Sequence, residues 1–132
     1  MTVHVAVAAI VNNDREVLIA LRQAHQHQGG FWEFPGGKVE QSETVYDALK
    51  RETEEELDLK ITQASSLLQV SHQYADKAVL LDVWIVTEFD GQAKGREGQP
   101  LRWCAIDALQ VDDFPAANEA IIKALQEKFL NS

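Results

Sequence analysis

Residues 44–57, TVYDALKRETEEEL, carry the strongest constraint in this chain. Thr44 followed three residues later by Asp47 has the form of a capping box, and the residues after it avoid Gly and Pro, so a helix is predicted. At roughly 100° per residue, Val45, Ala48 and Leu49 form the stripe that faces a core, and Glu52 and Glu56 project into the same sector. Glu55 falls at the border of that sector, while Glu54 points away from it. Three carboxylates therefore crowd a face that the apolar pattern assigns to the interior. Like charges this close repel, and a desolvated carboxylate is costly unless paired, protonated or bound to a metal. Lys50 and Arg51 neutralise part of the cluster, and an exposed helix laced with pairs such as Asp47 to Arg51 is the plain alternative. The acids' place within the apolar stripe favours a cation. Carboxylate oxygens suit hard ions such as Mg²⁺ or Mn²⁺, which keep several waters and bind together with substrate phosphates.

The remainder of the chain sets the frame for that helix. Its 132 residues, 45% hydrophobic, are enough for one domain spanning 1–132. Twelve Lys and Arg against twenty-one Asp and Glu leave a net charge of −9, which argues against polymeric nucleic acid as the main partner. A single cysteine, Cys104, forms no internal disulfide, and a cytoplasmic location is expected. The apolar run at residues 3–11 lacks a basic flank and is short of the ~20 residues that span a bilayer, so no membrane partner is expected, and a monomer is. Residues 3–11 and 17–21 read as strand, turn, strand around Asn12-Asn13-Asp14-Arg15. Residues 23–30 read as a loop that leads to Phe31-Trp32-Glu33-Phe34 and Pro35-Gly36-Gly37, where the glycine pair permits backbone angles that other residues avoid. Residues 66–70, 78–86 and 101–104 are further strand candidates, residues 90–100 form a polar connection, and residues 117–130 set Ile121, Ile122, Leu125 and Phe129 on one helical face. Strands with one central and one terminal helix indicate an α+β or α/β layered fold. Trp32, Trp84 and Trp103 are expected to pack, and His4, His25 and His72 share no ligand spacing.

Residues 37–59, GKVEQSETVYDALKRETEEELDL, resemble the Nudix box. That pattern is Gly, five residues, Glu, seven residues, Arg-Glu, an aliphatic, any residue, Glu-Glu, any residue, Gly and an aliphatic. Gly37, Glu43, Arg51, Glu52, Glu55, Glu56 and Leu59 match in register. Thr53 stands where an aliphatic is usual and keeps β-branched bulk. Asp58 stands where the closing Gly is usual, so it is expected to take a left-handed C-cap at up to ~1–2 kcal/mol. Outside the box, Arg22, Glu33-Phe34-Pro35-Gly36-Gly37-Lys38, Gly95-Arg96-Glu97-Gly98-Gln99-Pro100 and Asp113-Phe114-Pro115-Ala116-Ala117-Asn118-Glu119 are similar to the MutT-like subgroup of that family.

The resemblance implies the Nudix fold, a mixed β-sheet sandwiched between helices. It also implies hydrolysis of a nucleoside triphosphate to the monophosphate and pyrophosphate, with 8-oxo-dGTP as the substrate and nucleotide-pool sanitation as the role. An acidic pocket can hold a triphosphate only if divalent cations lie between them. The implied ligands are Glu52, Glu55, Glu56, the Gly36 carbonyl and Glu97, with Glu52 or Glu97 as general base and Glu52 the preferred one. Arg51 reads as an orienting partner for these acids, and Glu43 as structural or outer-shell. Arg22 and Lys38 are candidates for phosphate contact, with a surface cation at a strand end as the alternative for each. Asn118 offers one acceptor and two donors, which suit the N7–H and O6 of 8-oxoguanine, although an Asn at this place also caps helices. The Phe34 backbone and His27 complete the expected nucleotide pocket. A CTP or other pyrimidine nucleotide pyrophosphohydrolase is the alternative within the family, since the box is indifferent to the base; such relatives often carry an acid where Asn118 lies. A non-catalytic nucleotide-binding module and a plain acidic interaction domain are the alternatives from other classes.

Overall fold

The computed structural model describes residues 2–23 and 29–130. Strand β1 (Thr2–Ile10) is its centre, because an alternating β-branched and small-residue strand can serve two faces at once. Ala6, Ala8 and Ile10 pack with Ala48, Leu49 and Leu57 of helix α1 (Val45–Leu57), whereas Val7 and Ala9 pack with Ile121, Ile122 and Leu125 of helix α2 (Glu119–Leu130). The sheet thus lies between the helices, as the resemblance implied.

Strands β2 (Glu16–Leu21), β3 (Trp32–Glu33), β4 (Gly36–Lys38), β5 (Lys60–Gln73), β6 (Ala78–Asp90) and β7 (Leu101–Ala105) complete two sheets. One is mixed, in the order β4-β1-β6-β5, with β1 parallel to β6 and the other pairs antiparallel. The other is antiparallel, in the order β3-β2-β7. The three tryptophans pack against the cores as expected. No helix among the described residues is long and apolar enough to cross a membrane.

Three elements differ from the sequence expectation. β5 runs over fourteen residues rather than 66–70 because it is an edge strand whose polar residues face solvent, which masks its period. α2 starts at Glu119 rather than at 117, since residues 116–118 form a 3₁₀ turn closed by the Asn118 N–H on the Pro115 carbonyl at 2.9 Å. The glycine pair lies in an edge strand and does not use the backbone angles closed to other residues: Gly36 pairs with Val7, and among the described residues the glycines with positive φ are Gly30, Gly91 and Gly98. Close approach explains Gly36, where a Cβ would overlap the Ala6 carbonyl.

Helix α1 ends as its sequence dictates. Thr44 Oγ1 accepts from the Asp47 N–H at 3.1 Å, and Asp58 takes φ 59°, ψ 35° with its N–H on the Glu54 carbonyl. Thr53 is 1% exposed, and its hydroxyl is buried without a hydrogen-bond partner. Thr53→Val keeps the shape and removes that unsatisfied group, so it is expected to raise the unfolding free energy by about 1 kcal/mol in urea titrations. A lowered midpoint would mean that the hydroxyl is satisfied in the native protein.

Candidate active site

Short strand β4 and helix α1 lie against each other and bring the acids of the helix to the glycine pair. At Gly37 the Glu52 carboxylate packs so closely that a Cβ would overlap it. Arg51 sits among the acids. Its Nε and Nη2 donate to the two oxygens of Glu43 at 2.7 and 2.9 Å, Nη1 donates to Glu52 at 2.8 Å and to Glu55 at 3.3 Å, and Nη2 also reaches the Lys38 carbonyl at 3.1 Å. That guanidinium holds the Glu43 carboxyl down at about 2, helped by the Glu40 N–H. Arg51 itself is raised by the same bonds.

Glu56 is treated differently. Its Oε2 is buried with no hydrogen-bond partner, and burial pushes the carboxyl up to about 8, with the charges of Glu52, Glu97 and Glu33 adding to the rise and the Gly36 N–H opposing it. Asp82, the other buried acid of note, shows what a structural carboxylate looks like in this fold. It accepts from Trp84 Nε1 at 3.0 Å and Gln69 Nε2 at 3.2 Å, and contacts His4 Nε2 at 3.0 Å. Burial also raises Glu52, with Glu55 and Glu97 adding to it and Arg51 opposing.

Two cavities meet here. One, of about 340 Å³, is lined by Glu33, Glu56, Glu97 and Gln99. The other, of about 260 Å³, is lined by Arg22, Phe34, Gly36, Gly37, Lys38 and Asn118, over an apolar floor that includes Val5 and Leu81. Glu33 lines both. Five of the residues singled out in the sequence for nucleotide or metal contact (Arg22, Phe34, Gly36, Lys38 and Asn118) therefore share one cavity, and two (Glu56 and Glu97) share the other. Glu52 and Glu55 line neither cavity: the Glu52 carboxylate lies between Gly37 and Arg51, and the exposed Glu55 carboxylate turns to Arg51. His27 lies outside the described residues.

Sequence reasoning passed over several polar wall residues, among them Glu33, Tyr74, Lys77 and Gln99. The Glu33 carboxylate accepts from Arg22 Nη1 at 2.6 Å, and burial raises it against that guanidinium. Tyr74 and Lys77 come from the β5–β6 hairpin, far from the box in sequence. Gln99 is the fourth. Glu33 and Gln99 fall within the segments similar to the MutT-like subgroup, but nothing in the sequence marked Tyr74 or Lys77. The side chain of Asn118 donates to the Pro115 carbonyl at 3.4 Å, its one side-chain hydrogen bond among the described residues.

Among the described residues, no three His, Cys, Asp or Glu side chains already close around a point where a metal would sit. Yet the donors fit a hard divalent cation. They are oxygens only, one of them is a buried carboxylate oxygen without a partner, and the open coordination positions suit an ion that keeps water and phosphate oxygens as ligands.

A profile of the NUDIX domain matches residues 6–124. An 8-oxo-dGTP diphosphatase of Escherichia coli (strain K12) is 37% identical over 122 residues, which cover 92% of this chain and 95% of the relative. A CTP pyrophosphohydrolase of the same strain is 39% identical over 111 residues, covering 83% and 82%. Among solved structures, one from a study of MutT of Aliivibrio salmonicida and Vibrio cholerae superposes with a TM-score of 0.84 at 36% identity, covering 98% of this chain and all of that one.

The two glycines separate fold from site. Gly36→Ala would press on the β1 backbone and is expected to cost ~1–3 kcal/mol of stability. Gly37→Ala meets only the end of the Glu52 side chain, so stability should hold within ~1 kcal/mol while Mn²⁺ affinity falls about tenfold in calorimetric titration. The opposite pattern would remove Glu52 from the site.

The Glu56 carboxyl gives a pH dependence. Between the ordinary carboxylate range and about 8, the folded chain keeps a proton that the unfolded chain has lost, so without metal its contribution to stability declines as pH rises through that window. Melting temperatures in chelator should therefore fall more steeply over that window for the wild type than for Glu56→Gln, and millimolar Mg²⁺ should flatten the wild-type slope. Parallel slopes for the two proteins would contradict this.

Proposed function

The chain belongs to the Nudix family of hydrolases, and from that premise we propose that it cleaves 8-oxo-dGTP to 8-oxo-dGMP and pyrophosphate. The observation that carries the reading is the shared Glu33 wall: an acid-lined cavity suited to cations and phosphates opens beside a second one with an apolar floor, an aromatic residue and an amide. A triphosphate with its base fits that polarity. No larger polyanion is needed to explain it.

Glu52, Glu56 and Glu97, with the Gly36 carbonyl and Glu55, would hold Mg²⁺ or Mn²⁺. Such a cation, when bound, supplies charge neutralisation of the phosphates and acidifies bound water. Glu52 is assigned as the general base. Burial makes it a stronger proton acceptor than an ordinary carboxylate, and Arg51 and Gly37 hold it in one place. Water attacks phosphorus, its proton passes to Glu52, and the bond broken is the anhydride between the α- and β-phosphates. Lys38, exposed at the end of β4, and Arg22, braced by Glu33, neutralise phosphate charge. Phe34 bounds the base, and the Asn118 amide reads it: the carbonyl accepts from N7–H and the NH₂ donates to O6. Its bond to Pro115 is long and readily exchanged for these.

A pyrimidine triphosphate is the competing substrate, because a relative of similar identity is a CTP pyrophosphohydrolase. Pyrophosphate release from 8-oxo-dGTP, dGTP and CTP with Mg²⁺ decides between them. The expected order places 8-oxo-dGTP first. Asn118→Ala removes two hydrogen bonds worth ~0.5–1.5 kcal/mol each, so the ratio of kcat/KM for 8-oxo-dGTP over dGTP should fall about tenfold. Asn118→Asp, which keeps the acceptor and loses the donor, should fall part of the way. Faster turnover of CTP, with the ratio unmoved in Asn118→Ala, would favour the pyrimidine reading.

A further inference from the structure

Residues 91–100 join β6 to β7, carry Glu97, and cross the C-terminal end of α1. A helix leaves its last carbonyls without intrahelical partners, and this segment supplies them. The Lys94 N–H donates to the Leu57 carbonyl at 2.9 Å, the Arg96 N–H to the Glu56 carbonyl at 3.0 Å, and the Arg96 guanidinium to the Glu54 carbonyl at 3.3 Å. These bonds dock the segment on the helix but leave Glu97 itself beyond the docked part. Among the described residues the Glu97 side chain makes no hydrogen bond or ion pair, so what the fold fixes of Glu97 is its backbone, from which the carboxylate reaches the cavity it lines.

Gln99 controls that backbone. Its Oε1 accepts from the Glu97 N–H at 2.9 Å, and its Nε2 donates to the Glu56 carbonyl at 3.3 Å. One amide thus spans the backbones of two acids that lie far apart in sequence, and it does so from the wall of the cavity they share. Gly95 makes room for the arrangement, since a Cβ there would overlap the Gln99 carbonyl. The turn closes with the Gly98 N–H on the Gly95 carbonyl at 2.9 Å, at a φ of 81° for Gly98.

We propose that Gln99 is a positioning residue that sets the separation of Glu97 from Glu56, so that both carboxylates serve one divalent cation. This rests on the metal-site reading above. An amide with one acceptor and one donor matches the task, because one partner is an N–H and the other a carbonyl. A hydrocarbon of the same length would fill the space and hold neither.

The test is Mn²⁺ binding to the substrate-free full chain, measured by calorimetry. Gln99→Met should weaken Mn²⁺ about tenfold, the size of effect found when a group supporting a metal ligand is lost. In a Glu97→Gln background the same change should have no further effect, because Gln99 acts through Glu97. The metal-free melting temperature should be nearly unmoved, since the Lys94 and Arg96 backbone bonds remain. Gln99→Asn keeps the amide but falls one methylene short of the span, and the same loss is expected should Gln99→Met fold poorly. Equal losses in both backgrounds, or undiminished affinity in Gln99→Met and Gln99→Asn beside weakened binding in Glu97→Gln, would overturn the role of Gln99 alone. Wild-type affinity in Glu97→Gln would remove the metal-site reading, and this inference with it.

Discussion

One guanidinium makes the acidic helix tenable. Arg51 touches Glu43, Glu52 and Glu55 and the Lys38 carbonyl, and so ties α1 to the loop before it and to β4. A fixed fork of five donors can do this where a Lys ammonium could not, because the two bonds to Glu43 need parallel N–H groups in one plane. Glu43 in turn accepts from the Glu40 N–H at 2.9 Å, which extends the brace into the segment ahead of the helix. The site depends on this brace because the Glu52 carboxylate has Gly37 on one side and Arg51 on the other.

What Arg51 leaves unpaired is as informative as what it pairs. Glu56 shares the helix face with Glu52 yet keeps a buried oxygen with no partner, and the side-chain charges that act on it, those of Glu52, Glu97 and Glu33, are all negative. Asp82, on β6, is buried and is fully served by its neighbours. Depth of burial does not account for the difference, since Asp82 is the more deeply buried of the two acids. The distinction lies in whether the fold supplies donors, and an acid kept short of donors beside a cavity is equipped for a ligand.

Much of the helical and strand architecture could be read from local rules. The Thr44 cap, the two faces of α1 and the position of β1 follow from side-chain chemistry within a few residues, which is why they matched, and the left-handed Asp58 followed from the resemblance to the Nudix box, where a Gly is usual. The reading failed where partners come from afar. Gly36 and Gly37 read as a pair free to take unusual backbone angles, because local sequence holds no trace of the Ala6 carbonyl or the Glu52 carboxylate that press on them. β5 looked short because an edge strand with one wet face loses its hydrophobic period. Tyr74 and Lys77 carried no signal, and Glu33 and Gln99 none beyond the segments that resemble the family, because each acquires its surroundings only when β3, the β5–β6 hairpin and the 91–100 segment converge.

By itself, the sequence determined the chemistry available: three acids and one arginine at spacings set by the helical repeat, and an amide at Asn118 ahead of the last helix. Those are properties of local geometry, and no tertiary contact is needed to state them. The tertiary structure decided which acid stays paired and which is left open. Glu55 turns outward to Arg51, Glu56 is buried beside Glu33 and Glu97, and Gln99 spans the gap between two backbones that are forty-one residues apart from Glu56 to Glu97. Desolvation and charge coupling depend on distance in space and on what excludes water, and neither quantity exists until the strands and helices have packed.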